Sequence, residues 1–167
     1  MKSHDTLRYS TIYKALVRPH LEYGQIVWSP RYIRQSKKIE NVQKRATKLI
    51  PNLKHLPYKD RLKKLDLPSL KYRRIRGDMI NVYKILNDKH STNRRLLKLN
   101  ETTYNTRGHD KKLIKGRYKT DIRKFSFALR VTNIWNSLNN NTTNATSINI
   151  FKKLLDEDLF YLKYETD

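Results

Sequence analysis

Residues 16–30 read "LVRPHLEYGQIVWSP" and include three neighbouring side chains that can donate or accept protons. His20, Glu22 and Tyr23 would each suit general acid–base chemistry. Helical side chains share a face only at steps of three or four, so His20 and Tyr23 could lie together while Glu22 would point elsewhere. We therefore expect no catalysis here and predict a helix that packs through an apolar and aromatic docking face, formed by Leu21, Tyr23, Val27 and Trp28.

The sequence lacks the residue patterns that metal and phosphate chemistry require. It contains no Cys, and its five His are scattered without paired spacing, so we expect no metal ion and no cofactor. Its 15 acidic residues form no cluster that could hold the two ions of a polymerase or nuclease, and we interpret the acidic run 156–158 as a solvated helix face. Its four glycines are isolated, which excludes the usual phosphate-binding loops. We expect no catalytic residue, and a free-standing nuclease is kept only as an alternative.

Positive charge is the most pronounced feature of the sequence. Its 37 Lys and Arg residues face 15 Asp and Glu residues, which gives a net charge of +22 in 167 residues and indicates a polyanionic partner. The excess extends to residue 144, whereas the segment 145–167 is slightly acidic. No apolar run approaches the roughly 20 residues that span a bilayer, so we expect no membrane partner. The absence of Cys agrees with a reducing, intracellular location. For a protein that binds nucleic acid, we expect this location to be the nucleus or a cytoplasmic ribonucleoprotein.

Three groups of cations are predicted to bind RNA, DNA or an RNA–DNA hybrid. The first group is Arg34, Lys37, Lys38, Lys44, Arg45 and Lys48, and the second is Lys71, Arg73, Arg74 and Arg76. The third group is Arg107, Lys111, Lys112, Lys115, Arg117, Lys119, Arg123 and Lys124. Tyr118, Phe125 and Phe127 interleave with the third group and could stack on bases, although core packing of the two Phe is an equal alternative. Nothing reads bases specifically, so charge and shape should drive binding.

Two amphipathic segments should hold the first two groups on helices. In the segment 32–50 apolar residues recur at helical steps, and the stripe that we predict to be packed is Tyr32, Ile39, Val42, Ala46 and Leu49. In the segment 68–88 the corresponding stripe is Tyr72, Ile75, Met79, Val82 and Leu86. The cations lie on the other side of each predicted helix and should face solvent.

The remaining segments are also predicted to be mainly helical. The predicted helices run from Asp5 or Thr6 to Val17, from Pro19 to Trp28, from Tyr58 to Leu65, over the stripe Phe127, Val131, Ile134 and Leu138, and onward from a cap at Ser147. A two-stranded β-ribbon is predicted over Lys111–Phe125. The predicted fold class is therefore mainly α, with a basic helical region over 1–90, a linker over 91–110 and a smaller C-terminal lobe over 111–167.

Five stretches of the sequence, taken in order, resemble one protein family. They are "YKALVRPHLEYGQIVWSP", "IENVQKRATKLI", "LPYKDRLKKLDLPSLKYRRIRGDMINVYKILN", "TRGHDKKL" and "FALRVTNIWNSL". Together they resemble the region C-terminal to the catalytic core in reverse transcriptases of jockey-like non-LTR retrotransposons, which are mobile elements of the LINE type. The resemblance covers Tyr13 to Leu155, and the sequence departs from the family pattern at Asn52 and in the Asn-rich loop after Leu138.

The resemblance implies a thumb-like helical bundle followed by a C-terminal extension, which would grip the RNA template and the growing DNA strand. The family's palm, with its paired catalytic aspartates, would lie upstream, so no RNA-directed DNA polymerase activity is expected of this chain alone. A truncated copy of such an element would leave a reading frame of this kind. Two hypotheses follow: a fragment that binds nucleic acid through basic helix faces, or an interaction remnant that docks on an upstream palm and has no independent activity.

Overall fold

The structure is a computed structural model that describes residues 4–87, 96–100 and 108–166. These residues are mainly helical and include no β-strand or sheet, which confirms the predicted mainly α fold class. The α-helices are α1 (His4–Ile12), α2 (Arg18–Glu22), α3 (Gln25–Trp28), α4 (Ile33–Lys48), α5 (Tyr58–Leu65), α6 (Leu70–Asn87), α7 (Asp121–Lys124), α8 (Phe127–Asn136), α9 (Asn140–Thr143) and α10 (Ile148–Asp158). A π-helical segment (Tyr13–Val17) joins α1 to α2, and short 3-10 helices lie at Pro51–Leu53 and Phe160–Leu162.

The chain folds into two compact units. The first unit combines Met1–Arg74 with Tyr161–Asp167, and the second unit is Ile75–Phe160. Helix α6 therefore begins in the first unit and ends in the second. The predicted linker over 91–110 falls largely on residues outside the described ranges, and the predicted three-part division stays a prediction.

The N-terminal helices are shorter than the sequence predicts. The backbone changes from α to π geometry after Ile12, and the helix predicted from Pro19 to Trp28 breaks at Gly24. Gly24 has a φ of 63°, a left-handed conformation that a residue without Cβ adopts at little cost. Helix α3 begins directly after this glycine, so one predicted helix becomes two short ones.

The docking face predicted within residues 16–30 is wrong for Tyr23 and Val27. These side chains are 85% and 90% exposed, so they face outward. The segment is instead held by a polar contact, because Gln25 is buried and its Nε2 donates to the carbonyl oxygen of Arg74 at 3.2 Å. A buried amide that finds a backbone partner loses little free energy on leaving water. The apolar pattern of the segment therefore did not decide which side is buried.

Helix α4 buries a polar face, not the apolar stripe that its sequence predicts. Its buried residues, at steps of four, three and four, are Ser36, Glu40, Gln43 and Thr47. The exposed members of the predicted stripe are Tyr32, Val42 and Leu49, and the half-buried members are Ile39 and Ala46. The prediction failed because hydrogen-bonding groups from distant parts of the chain satisfy the polar face, which removes the usual cost of burying it.

Each unit has an apolar core of its own. In the first unit the buried cluster is Tyr13, Ile50, Leu53, Leu62, Leu65 and Leu67. In the second unit the side chains buried on α6, α8 and α10 include Met79, Val82, Tyr83, Leu86, Val131, Trp135, Phe151 and Leu155. The Phe151 ring stacks on Tyr83 with centroids 4.3 Å apart, and its centroid lies 6.1 Å from that of Trp135. Burial confirms most positions of the stripes predicted for α6 and α8.

Two local predictions for the C-terminal part have different outcomes. Ser147 Oγ accepts a hydrogen bond from Ile150 N at 3.3 Å, which confirms Ser147 as the cap of α10. The β-ribbon predicted over Lys111–Phe125 is not confirmed, since Leu113 makes an isolated antiparallel bridge with Leu99 and the end of the segment forms α7. The pairing partner of this segment lies earlier in the chain, outside the segment itself.

Candidate nucleic-acid interface

Helix α4 carries the whole first group of predicted cations on its exposed side. The six residues of this α4 cationic face are Arg34, Lys37, Lys38, Lys44, Arg45 and Lys48. Their spacing places them in one stripe, which extends ~21 Å along the helix at about 1.5 Å per residue. Glu40 is the single acid in the sequence of α4, and it is buried. The structure therefore presents these cations together, without an acidic neighbour on the helix.

Glu40 ties the buried side of α4 to two other helices. Its carboxylate accepts hydrogen bonds from Tyr58 Oη at 2.6 Å and from Leu70 N at 3.0 Å. Leu70 opens α6, so the carboxylate also lies where the helix dipole favours negative charge. Burial raises the pKa of Glu40, while the hydrogen bond from Tyr58 and the charge of Arg74 oppose that rise. These contacts hold the polar face inward and turn the cationic face to solvent.

Gln43 links α4 to the π-helical segment and to the residues before α6. Tyr13 Oη donates to Gln43 Oε1 at 2.7 Å, and Gln43 Nε2 donates to the Pro68 carbonyl oxygen at 3.0 Å. Burial raises the pKa of Tyr13, so its hydroxyl keeps the proton that it donates. Because both ends of this fully buried amide are satisfied, it fixes the rotation of α4 about its own axis.

Arg61 on α5 is a buried cation that sequence reasoning missed. Its Nε donates to Thr47 Oγ1 at 3.2 Å, and its Nη1 donates to the Leu56 carbonyl oxygen at 2.9 Å. Its Nη2 donates to the carbonyl oxygen of Lys44 at 3.3 Å. Arg61 therefore supports the C-terminal part of α4 and is not available to a ligand. Its spacing of four from the buried Leu65 is the one sequence signal that could have indicated this role.

Two arginines of the second predicted group make internal contacts. Arg74 is 6% exposed and its Nη2 donates to Ser36 Oγ at 2.8 Å, so the prediction that it faces solvent is wrong. Arg73 is half-buried and makes a two-pronged ion pair with Glu22, in which Nη2 and Oε2 lie 2.7 Å apart. Guanidinium groups match carboxylates in this fork geometry. These side chains hold the first unit together.

The other two members of the second group also form ion pairs. Arg76 pairs with Asp156, with Nη2 and Oδ2 at 3.0 Å, inside the second unit. Lys71 Nζ lies 3.6 Å from Glu165 in the first unit. Within the acidic run 156–158, which was interpreted as a solvated face, Glu157 is exposed as expected, whereas Asp156 is half-buried and pairs with Arg76. Three members of the second group pair with the chain's own acids and Arg74 is buried, so this group is a weaker candidate for phosphate contact than the first.

The third predicted group divides into internal and exposed members. Arg107 lies outside the described residues. Lys111 and Lys112 are half-buried, and Lys111 Nζ donates to the Thr143 carbonyl oxygen at 3.2 Å. The exposed members, which we call the C-terminal cationic cluster, are Lys115, Arg117, Lys119, Arg123 and Lys124.

Aromatic side chains near the C-terminal cationic cluster differ in exposure. Phe127 is buried, so it belongs to the core and not to a stacking surface. Phe125 is half-buried, whereas Tyr118 is exposed. Lys124 Nζ lies 6.0 Å from the centroid of the Tyr118 ring and 5.5 Å from that of Phe125. Of the three aromatic residues considered for stacking, Tyr118 is the most accessible.

A cleft of about 630 Å³, which we call the C-terminal cleft, lies within the second unit. Three segments line it: 96–98, 113–117 and 123–132. The buried apolar side chains in its lining are Leu97, Leu113 and Leu129. The cations in its lining are Lys98, Lys115, Arg117 and Arg123. The cleft therefore combines an apolar lining with positive charge.

Hydrogen bonds fix the walls of the C-terminal cleft. Next to the antiparallel bridge, Ile114 N donates to the Lys98 carbonyl oxygen at 2.8 Å. The Asn136 side chain of α8 forms hydrogen bonds with both backbone polar groups of Leu113. Its Oδ1 accepts from Leu113 N at 2.8 Å, and its Nδ2 donates to the Leu113 carbonyl oxygen at 2.9 Å. The segment 113–117 is thereby attached to α8 through an amide that mimics a strand pairing.

His109 attaches the residues just before the cleft-lining segment 113–117 to α8. Its Nε2 lies 2.9 Å from the Trp135 carbonyl oxygen, and its ring meets the Trp135 ring edge-on with centroids 6.1 Å apart. Burial lowers the pKa of His109, so the neutral imidazole donates from Nε2. Trp135 in turn donates from Nε1 to the carbonyl oxygen of Lys111 at 2.8 Å. Together these contacts hold residues 109–111 on α8.

Comparisons with protein-family models, with curated proteins and with solved structures gave no significant match. The described residues contain no group of three or more His, Asp or Glu side chains placed to hold a metal ion. None of the helices that the structure describes is both long and apolar enough to cross a membrane. The chain is a mainly helical, strongly basic protein that presents cations on α4 and in the C-terminal cationic cluster.

Proposed function

We propose that this protein binds RNA, DNA or an RNA–DNA hybrid through the α4 cationic face and the C-terminal cationic cluster. The observation that carries the proposal is the one-sided charge of α4, whose exposed side has six cations while its single acid is buried. Surfaces that serve solubility alone interleave charges of both signs. A stripe of one sign along ~21 Å instead matches a row of phosphates.

The resemblance to jockey-like non-LTR reverse transcriptases supports the same function and gives it a context. In this proposal the chain is a thumb-like helical bundle followed by a C-terminal extension, located in the nucleus or in a cytoplasmic ribonucleoprotein. Its cationic surfaces grip the RNA template and the growing DNA strand. Polymerisation would need a palm that supplies the catalytic carboxylates, so the chain alone binds without catalysis.

Binding through these surfaces is driven by the release of counterions from the phosphates. Six contacts on the α4 cationic face predict that the logarithm of the binding constant falls with the logarithm of salt concentration with a slope of about −5 on a duplex. Lys and Arg side chains on phosphates carry no sequence information. We therefore expect similar affinities for unrelated sequences at equal length.

Fluorescence anisotropy with a labelled RNA–DNA hybrid tests the proposal. A variant with Lys37, Lys44 and Lys48 changed to Gln should bind at least about tenfold more weakly than a matched control. The control changes three exposed lysines of α5 to Gln and therefore loses the same charge. These lysines are Lys59, Lys63 and Lys64. Equal affinities of the two variants would show that net charge alone attracts the ligand, and would contradict the role of α4.

Exposed apolar side chains favour a second function, an interaction role. Val27, Ile33 and Leu16 are among the large apolar residues exposed in the N-terminal part. In this alternative the chain docks on an upstream reverse-transcriptase palm and has no independent activity. Self-association of the purified chain, reversed by adding a palm fragment, supports this role. A purified chain that sediments as a monomer and does not bind the palm fragment would contradict the interaction role.

A further inference from the structure

We propose that the C-terminal cleft receives one unpaired base of a single-stranded nucleic acid, while the phosphates on either side of that base lie on the surrounding cations. The inference rests on the proposed nucleic-acid function and adds to it a preference for single strands at this site. The first supporting observation is size: the cleft volume of about 630 Å³ falls within the range of roughly 300–1,000 Å³ that is typical of ligand pockets.

The lining of the cleft suits the faces and the edges of a base. The apolar surface that a flat ring requires comes from the exposed Leu96 and Ile114, beside the more buried Leu97, Leu113 and Leu129. Ser126 and Thr132 also line the cleft, and each hydroxyl donates to a carbonyl oxygen of its own segment at 2.7 Å. Ser126 is exposed, so its hydroxyl oxygen still has a lone pair that can accept a hydrogen bond from a base, whereas Thr132 is buried.

The charge of the lining identifies the rest of the ligand. Lys98, Lys115, Arg117 and Arg123 line the cleft, and among the described residues of the lining none is acidic. A ligand with an apolar ring that packs on leucines and negative charges that contact nearby cations has the chemistry of a nucleotide within a strand. A duplex would have to flip the base out of its stack, which costs a few kcal/mol. Single strands should therefore be preferred.

Gly116 offers a way to fill the cleft without changing its charge. A Cβ at this position would meet Leu129 Cδ2 at 3.5 Å, an ordinary van der Waals distance. Neither packing nor backbone conformation therefore demands glycine here. Gly116→Leu should extend a side chain into the cleft, and Gly116→Ala, which adds the Cβ alone, is the matched control.

The test compares two strands of equal length and charge, binding to the full chain, by fluorescence anisotropy. Oligothymidylate carries bases, and a strand of abasic sites carries none. The wild type should bind oligothymidylate about tenfold more tightly than the abasic strand, because one buried base adds an interaction of the size of a stacking contact. Gly116→Leu should lose this difference, and Gly116→Ala should keep it. Both variants should bind an oligothymidylate–oligodeoxyadenylate duplex as the wild type does.

Three results would overturn the inference. Equal affinity of the wild type for the two strands would show that the cleft binds no base. This result does not depend on any variant being folded. A Gly116→Leu protein with native circular dichroism that still prefers oligothymidylate shows that the base lies elsewhere. In both cases salt-dependent binding of the duplex would leave the proposed function intact. Failure of the wild type to bind every strand and the duplex overturns the function and the cleft together.

Discussion

Replacing Glu40 by Ala should destabilise the protein far more than the loss of an exposed acid. The Glu40 side chain is buried and accepts from Tyr58 Oη at 2.6 Å and Leu70 N at 3.0 Å. Alanine leaves both donors buried without this acceptor, and each such donor costs about 1–3 kcal/mol. The expected loss in the free energy of unfolding is therefore about 3–5 kcal/mol. Glu40→Gln keeps one carbonyl oxygen and should lose about 1–2 kcal/mol.

Urea unfolding followed by far-ultraviolet circular dichroism measures this loss. The midpoints of wild type and variants give the change in stability where the slopes agree. The control is Glu157→Ala, because Glu157 is exposed on α10 and its loss should change stability by less than about 0.5 kcal/mol. A Glu40→Ala protein within about 1 kcal/mol of wild type would refute the reasoning, since the two donors would then have found other partners.

Two further predictions concern the second unit. The pKa of His109 is lowered by burial, so the unfolded chain binds its proton more tightly. Its contribution to stability should be complete above about pH 6.5 and should decline at lower pH, by at most about 1.4 kcal/mol per pH unit. His109→Gln should remove this decline from urea midpoints, and a pH profile parallel to wild type would contradict the prediction. Ser147→Ala should cost about 1 kcal/mol, because Ile150 N loses its cap, whereas the neighbouring Thr146→Ala should cost little. Equal melting temperatures of these two alanine variants would contradict the capping role.

Local signals predicted the helices best. Helix α5 has the predicted bounds, Tyr58–Leu65, and Ser147 caps α10 as expected. Both features depend on residues within a few positions of each other, such as Pro57 before α5 and Ile150 after the cap. A sequence carries this information directly, because the groups that satisfy a helix end are close along the chain.

Contacts between distant residues could not be predicted from periodicity. The buried face of α4 is polar because Tyr13, Tyr58 and Leu70 bring donors to it from elsewhere in the chain. A helical pattern records which residues share a side, and it does not record what that side will meet. The prediction that the apolar stripe of α4 is buried was therefore wrong.

The candidate site could be predicted only in part, again because contacts between distant residues leave no periodic signal in the sequence. The cations of the first group are all exposed on α4, as their spacing indicates. The cations of the second group could not be recognised as internal, because their partners are distant in the sequence. Arg73 pairs with an acid 51 positions earlier, and Arg76 pairs with an acid 80 positions later. The C-terminal cleft was also missed, since its walls come from separate segments of the chain, two of which are joined by the Leu99–Leu113 bridge.

The slope of binding against salt tests the central claim most directly. We predict that the wild type binds an RNA–DNA hybrid with a steep slope, and that changing Lys37, Lys44 and Lys48 to Gln makes the slope shallower by about 3. The matched change of Lys59, Lys63 and Lys64 should leave the slope close to that of wild type. A wild-type affinity that does not change with salt, or an identical slope for the α4 variant, would contradict the claim that phosphates lie on the α4 cationic face.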